Sequence, residues 1–198
     1  MENEKEIEDI KVILLGEMGV GKSNLLNAAA DLRFDEISKS TVTSTYIEKR
    51  MKIFNKNYKV KLWDTAGQEK YRALTKLFYQ DSKVVIFVYD ITNKNSFTEL
   101  NYWINEIKEA LGNEPILGIV GNKYDLTDMI EVDEKTAKEF AKEKGIELKS
   151  LSTKNEPQNF KKFLRKLVKD YLIKIGKIKD NEDELTKDDE NHGSCIIL

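Results

Sequence analysis

Residues 10–29 restrict the fold of this chain more than any other stretch. Ile10 to Leu15 reads Ile-Lys-Val-Ile-Leu-Leu, a short apolar run of strand length that Gly16 stops. Glu17-Met18-Gly19-Val20-Gly21-Lys22-Ser23 follows, and then Leu25, Leu26 and Ala29 fall on one helical face. A strand passing through Gly16-x4-Gly21-Lys22-Ser23 into a helix is the pattern of a loop that cradles phosphate. Glycines let the backbone curl until several N–H groups point at one anion. The helix opening near Lys22 adds its positive dipole end. Lys22 supplies a point charge to the outer phosphates, and the Ser23 hydroxyl suits magnesium.

Beyond that loop, apolar strands alternate with helical patterns. Residues 42–54 and 58–63 are rich in β-branched and aromatic types, with Asn55-Lys56-Asn57 between them as a hairpin turn. Lys83 to Asp90 and Ile116 to Val120 read as buried strands. Phe97, Leu100, Trp103, Ile104 and Ile107 recur at helical spacing. Thr136 to Lys144 reads as a helix ended by Gly145, Ile146 to Leu151 as the last strand, and Phe160 to Tyr171 as an amphipathic last helix. This order predicts a three-layer α/β fold, a mostly parallel six-stranded sheet with one antiparallel edge strand and about five helices. Ligands bind such sheets at the carboxyl ends of the strands.

A length of 198 residues suits one domain, expected over 8–175 after a flexible stretch at 1–7. The net charge of −2 leaves no electrostatic footprint for nucleic acid. No apolar run reaches the ~18 residues of a membrane span. Residues 176–198 hold three Lys against seven Asp and Glu, a local charge of −4, and are expected to form a disordered tail.

Further motifs follow the predicted strands. Asp64-Thr65-Ala66-Gly67-Gln68-Glu69 comes after Val60-Lys61-Leu62-Trp63. Asp64 suits the outer coordination of magnesium, through water. Gly67 offers an N–H unobstructed by a side chain, and the Gln68 amide could orient a water because it both donates and accepts. Asn122-Lys123-Tyr124-Asp125 follows the strand at 116–120. The Asp125 carboxylate can accept from the ring N–H and the exocyclic amine of guanine, a donor pair that adenine lacks. Lys123 can lay its alkyl stem over the ring. Ser152-Thr153-Lys154 would complete the pocket with backbone N–H groups.

With these motifs in this order, residues 8–175 resemble a Ras-superfamily small GTPase of the P-loop fold, and the Rab family above all. The strings that carry the likeness are Trp63 to Arg72, Phe78-Tyr79-Gln80-Asp81-Ser82, Phe87 to Thr92, Ser96-Phe97 and Trp103-Ile104-x-Glu106-Ile107. The resemblance implies a GTP- and GDP-dependent switch that hydrolyses GTP slowly without an activating partner and recruits effectors in vesicle traffic. It implies nucleotide contacts at Gly16, Met18, Gly19, Val20, Gly21, Lys22, Ser23 and Asn24. Thr41, nineteen residues after Lys22, would join Ser23 on magnesium and reach the γ-phosphate. Phe34 would pack on the guanine, Gln68 would be catalytic, and Tyr46, Trp63 and Phe78 would form an effector-contacting aromatic triad. A monomer is expected, with an exchange factor, a GTPase-activating protein and a prenyl-binding escort as partners.

Several residues depart from the pattern. Val42-Thr43-Ser44-Thr45-Tyr46 follows Thr41 where Rabs carry Ile-Gly-Val-Asp-Phe, so a Ras- or Rho-type signalling role stays open. Tyr124 and Thr153 replace small residues. Met18 replaces a small residue near the γ-phosphate, so a slowly hydrolysing GTP-binding module is a further alternative. Cys195, the only cysteine, begins the terminal Cys195-Ile196-Ile197-Leu198, a C-a-a-X box whose final leucine favours geranylgeranyl. A cytosolic protein that is lipid-anchored at the cytoplasmic face of a membrane is therefore expected.

Overall fold

A computed structural model describes residues 9–35, 45–54, 56–65 and 78–179, and the backbone of 195–197. Its elements are β1 (Asp9–Leu15), α1 (Lys22–Ala29), β2 (Thr45–Ile53), β3 (Lys56–Asp64), β4 (Val84–Asp90), α2 (Lys94–Thr98), α3 (Leu100–Leu111), β5 (Ile116–Asn122), α4 (Glu134–Lys144), β6 (Glu147–Ser150), α5 (Pro157–Lys174) and β7 (Cys195–Ile197). The sheet order is β6-β5-β4-β1-β3-β2-β7. Strands β6, β5, β4, β1 and β3 run parallel, and β2 pairs antiparallel with β3. The expected six strands are present, and β2 is the expected antiparallel one.

Every residue of β4 is buried, because helices cover both faces at the sheet centre. Ile10, Val12 and Leu14 of β1 join a core with α1 and α5, whereas Ile13 and Leu15 join a second core with α3 and α4. The strand's two-residue period thus divides one apolar run between two layers. Gly118 brings α5 against β5: a Cβ there would stand 2.6 Å from Leu167 Cδ1 and 3.1 Å from Phe163 Cζ. Local signals fix the helix ends. Asp133 caps α4 by accepting from the Thr136 N–H at 2.8 Å, and Gly145 ends it with φ 66. Pro157 opens α5.

Two details differ from expectation. The helical run at 97–107 is divided into α2 and α3 at Glu99. In the β2–β3 hairpin, Phe54 takes the left-handed conformation with φ 45, whereas Lys56 and Asn57 already belong to β3; Asn55 lies outside the described residues. After α5 a turn buries Ile178, with the Lys177 N–H donating to the Leu172 carbonyl at 2.9 Å; most of the tail expected to be disordered, 180–194, lies outside the described residues. Farther on, Cys195–Ile197 adds a seventh strand, antiparallel to β2 opposite Ile47–Lys49. An outer strand offers unpaired N–H and C=O groups, and the β-branched Ile196 and Ile197 suit an extended backbone.

Candidate nucleotide-binding site

The parallel strands bring their carboxyl ends to one edge of the sheet, and the motifs gather there. Pairing of β1 with β3 sets Leu14 opposite Asp64, so Asp64 arrives beside the loop that follows β1. The Thr65 hydroxyl donates to the Leu14 carbonyl at 2.7 Å and locks this junction. No described side chain caps α1; Gly21 stands at its N-cap with φ 98 and ψ 24. The buried Lys22 ammonium donates to the carbonyls of Gly16 and Glu17, each at 2.8 Å. Burial pushes its pKa down to about 8, against the opposing pull of Asp64 and Glu17. The Ser23 hydroxyl donates to Asp64 Oδ2 at 2.6 Å. A hydroxyl and a carboxylate this close are hard oxygen donors, a set that fits magnesium. Thr41, Gly67 and Gln68 lie outside the described residues.

The base-pocket motif is built around Asn122, which is buried. Its Nδ2 donates to the Val20 carbonyl of the glycine loop at 2.9 Å. Its Oδ1 accepts from the Thr153 N–H at 3.2 Å and from the Thr153 hydroxyl at 2.7 Å. The backbone N–H of Thr153, expected to face the nucleotide, is therefore directed at Asn122. One amide joins the loop after β1 to the loop after β6. Asp125 Oδ1 accepts from the Ser152 hydroxyl at 2.6 Å, which orients the carboxylate. Lys123 adopts φ 68, and its ammonium pairs with Asp90 Oδ2 at 2.6 Å. Phe34 is 39% exposed and lies beneath the Lys154 ammonium, 5.9 Å from the ring centroid. Asn24 reaches the backbone of Asp35, next to Phe34.

Tyr46, Trp63 and Phe78 also come together. Tyr46 stacks on Trp63 at 4.5 Å between centroids, and Trp63 meets Phe78 at 5.6 Å. All three are half-buried, so the rings form a partly open aromatic surface on the β2–β3 side.

Two contacts were not read from the sequence. Asp90 partners Lys123, and its place at the end of a central strand was the available signal. Glu17 accepts from the Trp103 indole N–H at 3.2 Å, tying the loop to α3 across 86 residues; sequence spacing gives no hint of it.

A glycine loop at the carboxyl edge of a parallel sheet, with a buried lysine and an amide-linked pocket, defines a P-loop nucleotide-binding protein. Comparison with known proteins narrows that class. Residues 11–173 match the family described as Ras family. The chain is 44% identical over 135 residues to Ras-related protein Rab-21 of Geodia cydonium, covering 68% of this chain but 59% of the relative, under two thirds of its length. It is 34% identical over 190 residues to Ras-related protein YPTC6 of Chlamydomonas reinhardtii, 94% of this chain and 87% of the other. It is 38% identical over 149 residues to Ras-related protein Rab-31 of Homo sapiens, 75% and 76% of the two. The chain belongs to the Ras family and is Rab-like: it binds GTP and GDP and hydrolyses GTP. The Rab resemblance read from the motifs is borne out.

Proposed function

We propose that this chain is a Rab-type switch that recruits effectors at membranes in vesicle traffic, selecting guanine through Asp125 and gripping phosphate through the loop at 16–23. The observation that carries this reading is the Asn122 amide, bonded on one side to Val20 and on the other to Thr153. It makes the base pocket and the phosphate loop one rigid unit, as a protein that reads base and phosphates together needs.

In this reading Lys22, Thr41 and Gly67 hold the γ-phosphate, while Ser23 and Thr41 hold magnesium directly and Asp64 holds it through water. Magnesium, when bound, neutralises charge on the phosphate oxygens. Gln68 orients the attacking water, and the Lys22 ammonium stabilises the negative charge that builds as the phosphoryl group transfers. Loss of the γ-phosphate releases Thr41 and Gly67 and discards the effector surface, which includes Tyr46, Trp63 and Phe78. An exchange factor and a GTPase-activating protein set the rates. A geranylgeranyl group on Cys195, carried by an escort, places the protein at the cytoplasmic face of a membrane. One lipid anchors weakly, and the acidic tail adds no pull toward anionic lipid, so protein receptors choose the membrane.

Titration with fluorescent mant-GDP and mant-ADP tests the site. Wild type should bind GDP and reject ADP. Asp125→Asn replaces an acceptor with a donor, so it should lose GDP and gain xanthosine diphosphate, whose 2-oxo group accepts. Equal binding of GDP and ADP by wild type would refute the assignment.

A second reading, a module that holds GTP but hydrolyses it slowly, is favoured by one observation. Met18 is 52% exposed on the loop, so its side chain projects outward rather than filling the core.

A further inference from the structure

Asn24 follows the serine assigned to magnesium, within the first turn of α1. Asn is an indifferent choice inside a helix, because its amide competes for backbone groups. Here the side chain is buried and its amide does bond a backbone, though a distant one. Nδ2 donates to the Asp35 carbonyl at 3.0 Å, and Oδ1 accepts from the Asp35 N–H at 2.9 Å. Both hydrogen-bonding groups of one peptide residue are thereby held by one side chain, as a neighbouring strand would hold them.

The clamped residue lies in the irregular stretch 32–35 that follows α1, the last residues described before 45. The start of that stretch is fixed too. The Leu32 N–H donates to Asn27 at 2.9 Å, and Asp31, with φ 61, is ion-paired to Lys49 at 2.8 Å and to Lys161. Phe34 sits between these two anchors, on the side of Lys154.

We propose that Asn24 is a positioning residue for nucleotide retention. By holding the Asp35 peptide it keeps the Phe34 ring against the guanine, and it couples the helix under the phosphates to the aromatic wall of the base pocket. The proposal rests on the guanine site argued above. Phe34 must swing aside before the base leaves, and that motion breaks both bonds to Asn24. Losing the clamp therefore speeds release.

The test is the dissociation rate of mant-GDP from the full chain, chased with excess GDP. Asn24→Ala should release nucleotide about tenfold faster, the effect of two ordinary hydrogen bonds. Asn24→Asp, equal in shape, keeps the acceptor but sets a carboxylate against the Asp35 carbonyl; it should also accelerate release and carries the test where the alanine variant does not fold. Because Asn24 acts through Phe34, the double variant Asn24→Ala/Phe34→Ala should release GDP no faster than Phe34→Ala alone. Rates within twofold of wild type for both Asn24 variants, or effects that multiply in the double variant, would overturn the clamp. A wild-type chain that gives no mant-GDP signal overturns the guanine site itself and the proposal with it.

Discussion

Replacing Gly21 with alanine tests the central geometry of the site. Gly21 has φ 98, where an L side chain is strained by roughly 1–2 kcal/mol. A Cβ there would stand 2.3 Å from Asn122 Nδ2. A free side-chain end would simply move away, but this one is buried and tied by hydrogen bonds to Val20 and to both groups of Thr153. Moving it by the required ~1 Å breaks the bond to Val20 and leaves a buried carbonyl unsatisfied, which costs about 1–3 kcal/mol. The free loop can relax around the strain, whereas a loop wrapped on phosphates cannot, so the cost falls on binding. The sum, about 3 kcal/mol, corresponds to a ~10²-fold loss of GDP affinity. Equilibrium titration with mant-GDP reads it, and a circular-dichroism melt checks that the variant folds. Affinity within threefold of wild type in a folded variant would refute the reasoning, because Asn122 would then not be the fixed wall described.

Two further outcomes follow from the loop. The Lys22 pKa of about 8 lies below that of an ordinary lysine, and bound phosphates favour the ammonium, so binding takes up a proton once the pH passes about 8. GDP affinity should be full below pH 8 and fall above it, by up to about tenfold per pH unit; a flat profile of mant-GDP Kd between pH 7 and 9 would contradict this. Met18, exposed on the loop, should hinder an incoming arginine, a group worth ~10³–10⁵ in rate. Met18→Ser should then raise the rate of single-turnover GTP hydrolysis with an activating protein, and equal rates for the two chains would dismiss the steric argument.

The layers of the fold were legible because the apolar runs are short, are separated by helical patterns, and end in glycine or polar residues. The sheet's directionality then placed Gly16, Asp64, Asn122 and Ser152 at one edge, since every motif follows a strand. What the sequence hid were contacts between distant residues. Nothing in the spacing of Glu17 and Trp103 signals their hydrogen bond, and Asn24 looks like any polar residue in a first helical turn. The contacts at the two described ends of the tail were hidden for a different reason. The tail's charge argued for disorder, but a few apolar residues suffice to seat Ile178 against the core or to extend the backbone of Cys195–Ile197 along an open strand edge.

The glycines of the loop sharpen that lesson. From the sequence alone they leave room for phosphate. In the fold two of them answer first to the protein. A Cβ at Gly16 would stand 2.1 Å from the Val88 carbonyl of β4, and one at Gly21 would strike Asn122. Only Gly19, with φ 80 and nothing within 4 Å of its Cβ position, is there for backbone conformation without a protein neighbour. The loop therefore lies flat across the end of β4, close enough for an amide on β5 to reach Val20 over the intervening strand. In the proposed function, that close approach joins guanine selection to the phosphate grip. A larger residue at 16 or 21 would lift the loop from the sheet and separate the two, so the spacing of the motif encodes the coupling of the site as well as its affinity for phosphate.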